Sequence, residues 1–414
     1  MIERVEYMNA LKKWRDEKVI KVVTGMRRCG KSTLLEMFQK YLLASGVAGD
    51  QIISVNLEAL EFEALLNYRA LYQHIVNRLR PDAMNYIFLD EVQLAEGFQK
   101  AVDSLYIRDN VDIYITGSNA YLLSGELATL LSGRYVEIRM LPLSFREYCG
   151  AKGEGDPDGR FSEYLRYGGL PYIAAMSDPE DRAETYLEGI YNTIILKDIE
   201  ARQARRERNP DRRRVTDLSL LRNIARFVAN AIGSPISVKS IADYITSSGR
   251  RTSQNTVSDY LEALIEPYIF YPVERYDVVG RQLLRQNRKL YIVDLGLRRH
   301  LVPRQSYDLG FSLENTVALE LLRRGFEVYV GKVGRAEVDF IARHGDEVRY
   351  YQVTASLLEP TTFQREIAPL RAISDNYPKA ILTLDRFTPG NYEGIRVVNA
   401  IDWLLEDGYS SACG

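Results

Sequence analysis

Three cysteines in 414 residues, Cys29, Cys149 and Cys413, are too few and too far apart for a disulfide framework or a zinc site. Their scarcity fits a reducing cytosol. No stretch reaches the ~20 apolar residues that a membrane-spanning helix needs. The opening MIERVEYMNALKKW is amphipathic and charged and has no apolar signal core. The chain is therefore expected to be soluble and cytoplasmic, with no membrane partner. Net charge is lacking too: −2 at neutral pH gives no global pull toward nucleic acid or anionic lipid. Any nucleic-acid contact must come from a local basic patch. There is no internal repeat and no low-complexity tract.

What is present is the make-up of a folded globular protein, 46% apolar and 27% charged. The length is too great for one ordinary core, so two to four domains are expected. In the first third, strand-like runs at 19–24 (VIKVVT), 51–57 (QIISVNL), 86–89 (YIFL), 111–116 (VDIYIT) and 135–140 (YVEIRM) alternate with helical patterns at 31–43, 68–79 and 97–106. That alternation predicts a parallel sheet with helices on both faces. A turn-rich break follows at 150–159 (GAKGEGDPDG), then helical segments at 161–167 and 181–198 and an arginine-rich connector at 199–214. Helical patterns at 218–232, 237–245 and 253–265 precede strand-like runs at 268–276 and 289–293, a winged-helix order. From residue 313 the chain reads as a second, smaller α/β domain.

The first chemistry lies between VIKVVT and the helix that follows it. Gly25-Met26-Arg27-Arg28-Cys29-Gly30-Lys31-Ser32 matches G-x-x-x-x-G-K-[ST]. Glycines let such a loop wrap tightly and turn backbone N–H groups toward phosphate oxygens. The helix aims its positive end at the same phosphates. Lys31 can reach the β and γ phosphates, Ser32 can place its hydroxyl on Mg²⁺, and Thr33 is positioned for the α phosphate. Cys29 at a helix N-terminus is either a redox-sensitive thiol or a small loop residue. YIFLDE supplies what hydrolysis of ATP needs: Asp90 to hold Mg²⁺ through water, and Glu91 to activate the attacking water. The inserted strand QIISVNL points to the additional-strand division of P-loop ATPases, and Asn56 at its end is a candidate restraint on Glu91. In Thr116-Gly117-Ser118-Asn119, either Ser118 or Asn119 is a candidate γ-phosphate sensor, or the four residues are an ordinary turn. Arg134 is either an arginine finger, in cis or from a neighbouring subunit, or a surface arginine.

GMRRCGKSTLL, YIFLDEVQ, ITGSNA, LSGRYVEI, PLSFREY, YGGLP, ILKDIEAR, KLYIVDLGLR, SLENTVALELLRRG, EVDFIA, YYQVTAS and DNYPKAILTLD occur in that order along nearly the whole chain. Together they resemble the bacterial and archaeal AAA-type ATPases that carry a C-terminal domain of unknown function with a restriction-endonuclease-like end. The resemblance implies ATP binding and hydrolysis and assigns no biological role. AAA-type ATPases often act as rings, so a homo-oligomer is one expectation.

Nucleases of the PD-(D/E)xK type place an acid at one strand end and acid-x-Lys on the next strand. Asp339 in EVDFIA fits the first acid, and Glu320 on the preceding helix is a candidate accessory acid. Gln352 and Thr354 stand where the second acid and the lysine belong, so the fold is expected to be nuclease-like and the activity lost. In the winged-helix segment, Arg250, Arg251, Ser253, Gln254, Asn255 and Thr256 lie at the N-terminal end of a helix able to enter a major groove of double-stranded DNA. The alternative is a helical module used for packing or for a protein partner. Lys197 and the arginines from Arg202 to Arg214 either track phosphates or form a solvated linker.

The expected architecture is a P-loop ATPase domain (1–149), a helical lid and basic linker (150–214), a winged-helix domain (215–304) and a degenerate restriction-endonuclease-like domain (305–414). The expected activity is ATP hydrolysis that drives or gates a DNA-associated change in the C-terminal half. The alternatives are a nucleotide-locked signalling or scaffold switch with a protein partner, and an ATP-gated nuclease.

Overall fold

The computed structural model describes residues 2–118, 133–180, 182–194, 217–302, 308–386 and 390–406. The chain divides into two compact units: Met1–Pro142 with Glu266–Tyr268, and Leu143–Ile265 with Ile269–Gly414.

The first unit is built on a five-stranded sheet, all parallel, in the order β2-β3-β4-β1-β5. β1 (Ile20–Thr24), β3 (Asn85–Asp90) and β4 (Val111–Gly117) are buried at every residue. Such unbroken burial marks strands covered on both faces by helices, which is why their sequences run apolar rather than alternating. β2 (Ile52–Asn56) and β5 (Tyr135–Arg139) lie at the edges and bury fewer of their residues. On one face, α3 (Tyr68–Val76) and α4 (Phe98–Tyr106) pack Leu71, Ile75, Val102 and Leu105 against Val22, Leu89 and Ile115. On the other, α1 (Val5–Lys13) and α2 (Lys31–Ala44) pack Leu11, Leu34, Leu35 and Phe38 against Val23, Phe88 and Tyr114. The strand that separates β1 from β3 in the sheet is β4. The QIISVNL strand, β2, lies between α2 and β3 in the chain, as expected, and at the edge of the sheet beyond β3.

The second unit begins with α5 (Phe145–Lys152), α6 (Pro157–Tyr167), α7 (Pro171–Ala174) and α8 (Arg182–Thr193). α5 runs into the segment expected as a turn-rich break. A reciprocal capping box starts it: the Glu147 amide donates to Ser144 Oγ, and the Ser144 amide donates to Glu147 Oε2. α9 (Leu218–Asn230), α10 (Val238–Ser247) and α11 (Gln254–Ile265) follow, then α12 (Leu295–Leu301), α13 (Leu309–Arg323), α14 (Pro360–Arg371) and α15 (Ala400–Leu405). Besides the ribbon and β9 described next, the unit has β6 (Pro235–Ile236), β10 (Ala336–His344), β11 (Glu347–Thr354), β12 (Lys379–Thr383), β13 (Asn391–Tyr392) and β14 (Ile395–Asn399), and all nine form one mixed sheet in the order β13-β14-β12-β11-β10-β9-β7-β8-β6. Its ribbon of β7 (Phe270–Asp277) and β8 (Gln282–Ile292) pairs onward to β9 (Glu327–Val333), in parallel, through Glu274 opposite Tyr329 and Arg275 opposite Val330. One sheet therefore spans the segments expected as a winged helix and as an endonuclease-like domain.

Two motifs left without a function in the sequence, YGGLP and VDLG, meet here. Buried Asp294 caps α12 by accepting from the Leu297 amide at 3.0 Å, and it also accepts from the Gly169 amide at 2.7 Å. Gly168 has φ +80°, and a Cβ there would lie 2.2 Å from Asp294 Oδ1. Gly168→Ala is expected to destabilise this unit by about 2–4 kcal/mol, read as a lowered unfolding midpoint, because strain and collision act together.

Candidate nucleotide site

The phosphate loop leaves the buried end of β1 and enters α2 through two left-handed residues, Arg28 (φ 66°) and Gly30 (φ 104°). Gly25 must be glycine: its φ is +147°, and a Cβ would sit 2.1 Å from the Met140 carbonyl oxygen. Ser32 and Thr33 are exposed at the start of α2, with their hydroxyls accessible to a ligand. Lys31 is buried. Its ammonium donates to the carbonyls of Gly25 (3.1 Å) and Met26 (3.2 Å) and lies 3.6 Å from Glu91 Oε1. Arg27 pairs with Glu58 at 2.9 Å.

β3 and β4 deliver the acids. Asp90 ends β3, and Glu91 follows with φ 51°, a strained value for a non-glycine residue. Thr116 on β4 fixes both: its hydroxyl donates to Asp90 Oδ1 and accepts from the Glu91 amide at 2.9 Å. Ser118 donates to Glu91 Oε2 at 3.0 Å, and Gln93 donates to the same oxygen. Burial works to raise the Glu91 carboxyl. Lys31 and Arg27, with the bonds from Gln93 and Ser118, outweigh it and hold the group below its ordinary range. Glu91 is thus an anion beside the phosphate-loop lysine. Asp90 Oδ2 takes no hydrogen bond among the described residues, so Asp90 and the exposed Ser32 hydroxyl are oxygen donors fit for Mg²⁺. That ion is bound by one or two protein oxygens with water and phosphate completing its shell.

Several expectations are corrected. The Asn56 side chain takes the Glu58 amide, not Glu91; the restraint on Glu91 comes from Gln93 and Ser118. Cys29 is fully buried, and burial pushes its thiol up, so the redox-switch reading fails. Arg134 precedes β5, and its carbonyl accepts from the Ile20 amide at the start of β1, the end of the sheet away from the loop. Its guanidinium pairs with Asp103 and lies over the Tyr106 ring. It is not a finger in cis. Asn119, Lys197 and the arginines from Arg202 to Arg214 lie outside the described residues.

Arg4 gave no signal in the sequence, yet it braces the loop. It is 4% exposed and donates to the carbonyls of Cys29 (3.0 Å), Leu141 (2.7 Å) and Pro142 (3.4 Å). Tyr7 accepts from the Leu141 amide at 3.0 Å, which ties α1 to the same strand exit. Arg4→Ala is expected to cost about 2–4 kcal/mol of stability, since it strands buried carbonyls. Nucleotide affinity should fall at least roughly tenfold in a binding titration.

In the second unit, two of the six residues expected to meet DNA cap α11 itself, and a third is held in an ion pair. The Thr256 amide and hydroxyl meet Ser253 Oγ at 3.1 and 2.8 Å, capping the helix, and Arg250 pairs with Asp217. Arg251, Gln254 and Asn255 are exposed. The nuclease-type residues are only partly gathered. Glu320 is bound by Arg323 (2.6 Å) and Arg324 (2.8 Å) and is not part of the cluster. Thr354 donates to the Ser356 carbonyl. Gln352 accepts from the Asp339 amide at 3.3 Å and donates to Glu366 at 2.7 Å. The cation in the cluster is Lys289 of β8, which lies 2.9 Å from Glu314, 3.0 Å from Glu337 and 3.7 Å from Asp339. Lys332, considered as a substitute lysine, pairs with Asp277 instead.

Residues 17–149 match the profile of an AAA domain, and residues 158–308 match a domain of unknown function. An uncharacterized protein of Methanocaldococcus jannaschii is 30% identical over 381 residues, 86% of this chain and 79% of that one. Among solved structures, the Walker-type ATPase of Pyrococcus abyssi superposes with a TM-score of 0.48 at 14% identity, covering 73% of this chain and 96% of that one. An uncharacterized protein of Haemophilus influenzae is 40% identical over 412 residues, 98% of this chain and 99% of its own. The chain belongs to the family of that Haemophilus protein, and its residues 17–149 match an AAA domain.

Proposed function

We propose that this protein hydrolyses ATP and uses the cycle to change how its C-terminal half engages a partner, double-stranded DNA. The observation that carries the reading is the convergence of Lys31, Glu91, Asp90 and Ser118 at the mouth of one phosphate loop. Backbone N–H groups of the loop and the exposed hydroxyls of Ser32 and Thr33 bind phosphate oxygens. Lys31 exchanges its bonds to the Gly25 and Met26 carbonyls for bonds to phosphate. Glu91, already anionic, takes the proton of the attacking water, and Ser118 and Gln93 orient it. Ser32 and Asp90 would hold Mg²⁺, which would neutralise phosphate charge.

The gating part is supported by the path of the chain. Glu266–Tyr268 belong to the first unit, while α11 before them and β7 after them belong to the second. The Tyr268 hydroxyl lies 3.4 Å from Glu137, which accepts from Thr24 at 2.6 Å. Thr24 is the last residue of β1 before the loop, so a loop that moves with nucleotide acts on the connection into β7. The DNA part is supported by exposed Arg251, Gln254 and Asn255 at the start of α11. The Lys289 ammonium among the acids weighs against a metal-dependent nuclease.

The test is ATP hydrolysis by the pure protein with and without double-stranded DNA, beside Lys31→Ala and Glu91→Gln. DNA stimulation that both substitutions abolish supports the whole reading. Turnover indifferent to DNA removes DNA from it and favours a protein partner. Absence of ATP binding overturns it.

A further inference from the structure

We propose that the second unit holds a binding site for a phosphorylated small molecule, in a cleft walled by α8, α9 and α12 and separate from the phosphate loop. Two adjoining cavities, of about 340 and 160 Å³, share Arg226, His300 and Leu301 and so form one cleft. Tyr191 lines the smaller chamber. It is 4% exposed, and its hydroxyl has no hydrogen-bond partner among the described residues. A buried hydroxyl left unpaired is unfavourable, and a folded chain rarely tolerates one without a ligand or water to meet it.

The charges around that hydroxyl favour an anion. Arg222 and Arg226 stand one turn apart on α9, on the same face, and both act electrostatically on Tyr191. Arg299 of α12 faces the larger chamber. Neither Arg226 nor Arg299 forms an ion pair among the described residues. Three acids of the cleft oppose them. Glu180 is taken by Arg166, which leaves Glu184 and Glu188 against Arg222, Arg226 and Arg299. The balance is one positive charge in excess. Guanidinium forks grip phosphate oxygens in pairs, and a tyrosine hydroxyl adds a further donor. A dianionic phosphate monoester can use that many donors, whereas a carboxylate cannot. Leu187, Leu301 and Val302 line the rest of the larger chamber, where the apolar part of the ligand would lie.

The test uses full-length protein carrying Lys31→Ala, which weakens the phosphate loop's hold on phosphate, and titrates phenyl phosphate by calorimetry. One saturable site is expected. Arg226→Gln combined with Arg299→Gln should weaken it at least about tenfold, and Tyr191→Phe roughly three- to tenfold. Without ligand, Tyr191→Phe should melt no lower than its parent, because it deletes only an unpaired hydroxyl; this separates lost binding from lost folding. No saturable binding overturns the proposal and leaves water as the partner of Tyr191. Binding that survives both sets of substitutions in folded protein also overturns it. Neither result bears on ATP hydrolysis.

Discussion

Glu91→Gln is expected to reduce ATP turnover by roughly 10²–10⁴-fold, the usual contribution of a positioned general base, while ATP still binds. Glutamine keeps the length and planarity of the side chain, so the strained backbone at Glu91 and the neighbouring Lys31 need not move. What disappears is the anion that accepts the water proton. Lys31→Ala should behave differently. It removes the ammonium that compensates phosphate charge, so affinity falls with turnover. Measured together, kcat and nucleotide affinity separate the two roles: the first variant loses kcat at nearly constant affinity, and the second loses both. Since Lys31 and Arg27 outweigh burial at Glu91, the base stays ionised at neutral pH and its activity declines only as pH falls below the ordinary carboxylate range. Turnover that persists in Glu91→Gln would place the base elsewhere.

The nucleotide site was legible because its residues are consecutive. Gly25 to Thr33 and Asp90-Glu91 each occupy one strand end, and burial made the strands readable as continuous apolar runs. Thr116 was less legible, since its role follows from β4 lying beside β3, which is a property of sheet order and not of spacing. Arg4 was invisible: it meets its carbonyl partners across 25 and 137 residues of chain. The same physics explains the misplaced Glu320. Glu314 and Glu320 lie on one buried helix, and only the phase of α13 against the sheet decides which of them faces Asp339. Lys289 was read merely as part of a strand. Its pairing with acids 25 to 50 residues downstream depends on β8, β7, β9 and β10 lying side by side in one sheet.

That cluster gives the second large effect, a stability that falls as pH rises. Burial, then the charge of Glu314, pushes the Asp339 carboxyl up to about 8, although Lys289 pulls the other way. In the unfolded chain the same group titrates near pH 3.9 (roughly the free aspartate value). Below about pH 4 both states hold the proton, and the cluster's contribution is complete. Between about 4 and 8 the folded protein holds a proton that the unfolded chain has released, so stability declines through that window. Asp339→Asn mimics the protonated form and should flatten the slope, leaving the protein about 2–4 kcal/mol more stable at pH 8 and little changed at pH 5. Lys289 works in the opposite sense. Burial would lower its pKa, but Glu314, Asp339 and Glu337 raise it instead, so its stabilising charge is present throughout this window and is lost only in strong alkali. Lys289→Met should therefore cost about 3–5 kcal/mol at pH 8, because it strands buried carboxylates, and less at pH 5, where Asp339 holds its proton. Urea unfolding of the three proteins at pH 5, 6.5 and 8 reads both effects. A pH slope that survives in Asp339→Asn would mean that another buried acid carries it, and Asp294, whose carboxyl burial pushes up to about 6, would be the next substitution.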